Sequence, residues 1–164
     1  MFIKRTINKI IFHHTADITV GSQYEKTNEY HKNIKKFPLS GYDSYVGYHI
    51  LIEQSGDIIF CRPLYEIGAH DAGENMDSVG IALAGNFDIA VPTEMQEIAF
   101  AKACDMVFTV VEKQLPIEPH RKGDSTDCPG KKLTDNWGTR IYLKYKISWL
   151  QKLVIFLQTL TQKQ

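Results

Sequence analysis

Residues 118–130 place an imidazole, His120, and a thiol, Cys128, in one short segment with seven residues between them. Both side chains are good zinc ligands. Pro119, Gly123, Pro129 and Gly130 keep the segment out of regular structure, as in a loop that is held at its ends and presents side chains. Two ligands do not complete a site. A catalytic zinc takes three protein ligands and leaves the fourth position to water. A third donor must come from elsewhere in the chain. Lys9–His14 reads Lys-Ile-Ile-Phe-His-His, an apolar run that ends in two histidines. Successive strand side chains point to opposite faces, so at most one of His13 and His14 can join a site on a given face.

The elements that must position these groups follow from the hydrophobic pattern. Lys9–His14 reads as a buried strand. Residues 21–36 fit a polar-faced helix with Tyr24, Tyr30 and Ile34 turned inward. Residues 47–54 and 57–62 flank Ser55-Gly56, which signals a hairpin. A short strand over residues 66–69 leads into His70 and a polar loop, and residues 78–84 form a clear strand closed by Gly85-Asn86. Thr93 and Gln96 make a capping box for a helix reaching about Gln114, with Ile98, Ala101, Cys104 and Phe108 as its stripe. Residues 117–120 could add one more strand, and Pro129 predicts a helix restart. Strands alternate with helices, so the expected class is α/β around a mixed central sheet flanked by helices.

Composition sets the bounds. With 164 residues, 43% apolar and 23% charged, the chain reads as a soluble domain with room for a core. The formal net charge is zero, and no nucleic-acid partner is expected. Charge is unevenly spread: residues 1–112 carry 9 Lys/Arg against 15 Asp/Glu, and residues 113–164 carry 10 against 4. The basic part includes the His/Cys segment and favours an anionic partner or surface there. Cys61, Cys104 and Cys128 do not read as a disulfide framework. Cys61 and Cys104 fit buried small hydrophobes. The first residues hold no apolar run of signal-peptide length. The expectation is synthesis in the cytoplasm and another route to any site of action outside it.

In chain order the motifs are Phe12-His13-His-Thr, Gly47-Tyr48-His-Ile, Gly68-Ala-His70, Ser78-Val-Gly-Ile, Gly85-Asn86-Phe, and His120 followed by Thr126-Asp-Cys128-Pro-Gly. Together they resemble the zinc-dependent N-acetylmuramoyl-L-alanine amidases, whose fold is shared with phage amidase-type lysozymes and peptidoglycan recognition proteins. The resemblance runs from about residue 8 to 138. It implies a mixed sheet flanked by helices, a cleft on one face and a zinc at its floor. It implies hydrolysis of the amide joining N-acetylmuramic acid to the L-alanine of a peptidoglycan stem, in the manner of an endolysin. Matched residue by residue, the zinc ligands are His13, His120 and Cys128. Tyr48 and Thr126 take the catalytic positions, and His70, Asn75, Asn86 and His31 the substrate-binding ones. Some branches carry a glutamate base on the strand that here has Ala82 and Ala84. Two other readings are a peptidoglycan-binding module with little hydrolysis and a zinc-stabilised structural or regulatory protein.

The resemblance ends before the tail. Residues 1–140 are therefore expected to form the amidase domain and residues 141–164 an amphipathic helical extension. Ile147, Leu150, Leu153, Val154, Leu157 and Leu160 fall at helical spacing. Trp149, Ile155 and Phe156 widen the apolar face. Such a helix could pack back on the domain, self-associate, or lie in a membrane surface.

Overall fold

A run of apolar residues with no polar alternation has to be covered on both faces. The computed structural model does this with one sheet between two helical layers. It describes residues 5–161, apart from the side chains of residues 155, 156 and 159–161. The strands are β1 (Lys9–His14), β2 (Ile50–Ile52), β3 (Ile58–Phe60), β4 (Ser78–Leu83) and β5 (Ile117–Pro119). Their order across the sheet is β3-β2-β4-β1-β5. β1 is parallel to β4 and β5, β2 is parallel to β4, and β3 runs antiparallel to β2. The expected mixed α/β architecture is therefore present.

The two faces of β1 go to different uses. Ile10 and Phe12 enter the main core with α2 (Glu94–Val111) and α3 (Trp137–Thr161). The Phe12 ring meets Phe100 at 6.0 Å and Trp137 at 5.5 Å. Burying each such ring contributes on the order of 2–3 kcal/mol, so this trio fixes both helices to the sheet. His14 lies on the same side, and its Nδ1 accepts from the Phe87 N–H at 3.1 Å. Ile11 and His13 face the other side, where Tyr24 of α1 (Gln23–Tyr30) packs on the cluster of Val46, Leu51 and Cys61. The Thr93/Gln96 capping box is formed at the start of α2.

Three local expectations are corrected. On α1 the buried residue is Gln23, while Tyr30 and the following Ile34 are exposed. The helix continues into a wider π-type turn, His31–Lys35, which turns the His31 ring inward instead. Residues 66–69 form no strand. Their backbone is spent singly, Ala69 N–H on the Gly47 carbonyl and the Glu66 carbonyl against His49 Nε2, so no ladder can form. Nor does a helix restart at Pro129. Gly130 sits at φ +103°, a conformation that stops a helix, and the helix begins only at Trp137.

The line expected between residues 140 and 141 falls inside α3. Ile141, Tyr142 and Tyr145 belong to the same core as Phe12. Lys144 pairs with Glu97, and Lys146 with Asp105, across to α2. Beyond Trp149, among the described side chains, Leu150, Leu153, Val154 and Leu157 are each about half exposed. The expected apolar positions Ile155, Phe156 and Leu160 lie outside the described side chains, as do residues 1–4, which enter the leader argument. Among the described residues no helix is long and apolar enough to cross a membrane.

Candidate metal centre and cleft

Parallel strands bring their carboxyl ends to one edge, where open α/β sheets place their ligands. Here that edge carries His13 near the end of β1 and His120 immediately after β5. The segment to Cys128 is folded back by two anchors. Arg121 N–H donates to the Cys128 carbonyl at 2.9 Å. The Arg121 guanidinium donates to the carbonyls of Gly130 and Leu133, each at 2.8 Å. The Thr126 hydroxyl oxygen accepts from the Cys128 N–H at 3.2 Å. These bonds put one ligand atom each from His13, His120 and Cys128 within 4.8 Å of one another.

The spacing suits a tetrahedral cation. Cys128 Sγ lies 3.7 Å from His13 Nδ1, and ideal Zn–S and Zn–N bonds would set that separation at roughly 3.6 Å. Protonation suits it as well. Burial, and then the neighbouring histidines, hold His13 well below its usual value, so it is a neutral imidazole. Burial also lowers His120, opposed by Asp71 and Asp124. Burial pushes the Cys128 thiol up to about 12, and a coordinated cation reverses this by deprotonating the sulfur. Two neutral imidazoles and a thiolate are a donor set that zinc prefers.

His70 backs this group. Its Nδ1 is 3.1 Å from His13 Nε2, so with His13 Nδ1 facing Cys128 the His13 Nε2–H points at His70. The His70 ring fits because two neighbours lack a Cβ. A Cβ on Gly80 would sit 2.6 Å from His70 Cγ, and one on Gly68 2.4 Å from its Cδ2. The strand partner of His13 is Ala82, fully buried, so β4 turns no carboxylate toward the group.

Tyr48 stands on the open side, its ring centroid 5.0 Å from that of His13. Burial, with Cys128 second, pushes its phenol above the usual range, so it remains a hydrogen-bond donor. A cleft of about 420 Å³ opens beside it, lined among others by Thr15, Asp17, Lys26, Tyr30, His31 and Tyr48. A further cavity of about 520 Å³, between residues 18–23 and the β2–β3 hairpin, touches none of His13, His120 and Cys128.

The structure thus brings together His13, His120, Cys128, Tyr48, Thr126 and His70. His31 also lines the cleft, and its Nδ1 accepts from the Gly47 N–H at 3.1 Å. Asn75 and Asn86 make local turn bonds and are not among the residues that line this cleft. The Asn75 side-chain oxygen accepts from the N–H groups of His70 and Asp71, and that of Asn86 from Asp88. Sequence reasoning missed Gln23, Gly80 and Asp71. Asp71 directly follows the His70 motif, yet nothing in its neighbours marks it as buried.

The sequence pattern of the N-acetylmuramoyl-L-alanine amidases (Amidase_2) matches residues 3–131. The human N-acetylmuramoyl-L-alanine amidase is 29% identical over 93 residues, which span 55% of this chain and 16% of that protein. A peptidoglycan recognition protein of Trichoplusia ni is 24% identical over 135 residues, covering 80% of this chain and 74% of its own. Among solved structures, the N-acetylmuramoyl-L-alanine amidase LysC of Clostridium intestinale superposes with a TM-score of 0.70 at 27% identity, covering 87% of each chain. Bumblebee peptidoglycan recognition protein SA shares the fold, with a TM-score of 0.67 at 24% identity over 80% of this chain and 81% of its own. The family match includes the strand of His13 and the loop of His120 and Cys128, and the chain belongs to the N-acetylmuramoyl-L-alanine amidase family.

Proposed function

We propose that the chain is a zinc hydrolase that cuts the amide between N-acetylmuramic acid and L-alanine in peptidoglycan, with an endolysin-like role in cell-wall lysis. The observation that carries this reading is the convergence of His13, His120 and Cys128 beside Tyr48 and an open cleft. The family match and the likeness to LysC support the reaction, and the likeness to the endolysin amidase LysCS of Clostridium intestinale supports the lytic role.

Zinc held by these three side chains would supply a water acidified towards a pKa of about 7 and a Lewis acid for the scissile carbonyl. The chain does the rest. Tyr48 keeps its proton and donates to the oxygen that gains negative charge. The Thr126 hydroxyl accepts from the Cys128 N–H and keeps its own proton to donate into the same space. It adds no charge there, unlike a lysine. The cleft lined by Asp17, Lys26 and Tyr48 would receive the stem peptide. With alanine at position 82, no β4 carboxylate serves as base.

The test measures metal content and muropeptide products together. The expected result is one zinc per chain, release of a free L-alanine amino terminus, loss of activity in chelator, and loss of both metal and activity in Cys128→Ser with the fold retained. A metal-free wild-type protein that still cleaves refutes the zinc reading. A zinc-loaded protein that binds muropeptides and releases no new amino terminus supports a binding module instead.

A further inference from the structure

His120 has a second neighbourhood besides the His13–Cys128 group. Its Nε2 lies 3.8 Å from Asp71 Oδ1 and 3.8 Å from Asp124 Oδ2. The two carboxylates are unlike. Asp124 is half exposed. Asp71 is 2% exposed, and neither of its side-chain oxygens has a hydrogen-bond partner. His120 Nε2 is likewise buried and unpartnered. A buried carboxylate without a donor is costly, so a chain that keeps one there should put it to use. The backbone aims it: the Asn75 side-chain oxygen accepts from both His70 and Asp71 N–H groups, at 2.8 and 3.0 Å, and sets the corner.

We propose that Asp71 is a positioning residue for His120. Its carboxylate accepts a hydrogen bond from the His120 Nε2–H and so leaves the Nδ1 lone pair for the metal. At 3.8 Å the pair is just too long for that bond. A small ring rotation as the metal binds closes it and satisfies two buried atoms at once. A carboxylate behind a ligating imidazole fixes its tautomer and orientation and raises its basicity. The two metal-facing histidines are then held by different means, His13 by a neutral imidazole, His70, and His120 by a carboxylate. This inference rests on the zinc reading of the same site.

The experiment is zinc competition against a chromophoric chelator on the full chain, with cobalt absorption as a second readout. Asp71→Asn keeps the shape and removes a buried charge that has no donor, so the metal-free protein should melt at the wild-type temperature or above. Its zinc affinity should fall about 10- to 100-fold. Asp124→Asn removes a charge at the same distance from Nε2 but exposed to water, and should cost less than about threefold. Cobalt bound to the wild type should show thiolate-to-metal charge transfer from Cys128. Should Asp71→Asn fold poorly, Asp71→Ala with added formate should regain affinity that it lacks without formate. Wild-type affinity in Asp71→Asn, an equal loss in Asp124→Asn, or no rescue by formate overturns the role of Asp71. Cobalt bound without the thiolate band also overturns it, since the cation would then sit outside the His13–His120–Cys128 group that Asp71 is argued to support. A wild-type chain that takes up no zinc sinks the zinc reading itself, a separable result.

Discussion

Tyr48 is the residue whose change best separates chemistry from structure. Its ring packs against His13 and His31 at 5.0 and 5.7 Å, and Tyr48→Phe keeps that packing while removing only the donor. Zinc content and melting temperature should hold, and turnover should fall by roughly 10²–10³, the usual loss for one transition-state donor. Thr126→Val should cost less in turnover, but it also removes the acceptor for the Cys128 N–H, so some loss of metal should accompany it. Unchanged turnover in Tyr48→Phe would assign Tyr48 to packing alone. His13 and His14 also part at this scale. One faces Tyr48 and His70, and the other accepts from the Phe87 N–H on the helix side of the sheet. Strand alternation requires such a division but does not say which face holds the site.

At the scale of elements, β4 is more than a core strand. Its Gly80 lies under the His70 ring, and His70 backs His13. Gly80→Ala would drive a methyl into that ring. Overpacking of this kind costs roughly 1–3 kcal/mol, and His70 has to move to relieve it. The expected outcome is a lower melting temperature together with weaker zinc binding, read by thermal unfolding and by the chelator competition. Full zinc affinity in a destabilised Gly80→Ala would break the proposed link from β4 to the metal ligand. α3 can be dissected in the same way. Truncation after Trp149 removes Leu150, Leu153, Val154 and Leu157, each about half exposed, and the residues that follow. It should leave folding, metal content and cleavage of soluble muropeptides intact. Truncation after Leu143 also removes Tyr145, Trp149 and the Lys144–Glu97 and Lys146–Asp105 pairs. It should lower stability by several kcal/mol, mainly through lost burial. Equal stability of the two truncations, measured by denaturant unfolding, would show that α3 is an appendage from residue 144 onward.

At the scale of the whole molecule, the buried histidines tie stability to pH. Burial, then Lys35 and Arg62, hold His31 down at about 4. Burial, then the Arg5 guanidinium, hold His49 down at about 3. In the unfolded chain both titrate near 6.5. Above that value neither state binds the proton, and the two residues leave stability independent of pH. Below it the unfolded chain takes up protons that the native state refuses. Stability therefore falls with pH, by about 1.4 kcal/mol per unit for each group, from about 6.5 down to about 4 for His31 and about 3 for His49. Denaturant unfolding of the metal-free protein at pH 7.5, 6 and 5 checks this. A flat profile across that range would show that these rings are solvated in the native state.

Much of the site was legible in the sequence because its signals are local. An apolar run ending in His-His, a hairpin turn at Ser55-Gly56, a capping box at Thr93 and a His/Cys loop punctuated by Pro and Gly each depend on a few adjacent residues. The order of the motifs then pointed to the family, and the family match spans residues 3–131. What the sequence left open depends on contacts far apart in the chain. Gln23 and His31 turn inward, against the periodicity expected for that helix: Gln23 bonds the Thr15 hydroxyl and the Thr19 carbonyl, and His31 opens the π-type turn and accepts from the Gly47 N–H. α3 begins at Trp137 because Gly130 and the Phe87 backbone hold the preceding turns. Asp71 is buried because Asn75, four residues on, and His120, forty-nine residues on, close around it. Burial of a polar side chain is a property of its surroundings, and no pattern of nearby residues encodes it.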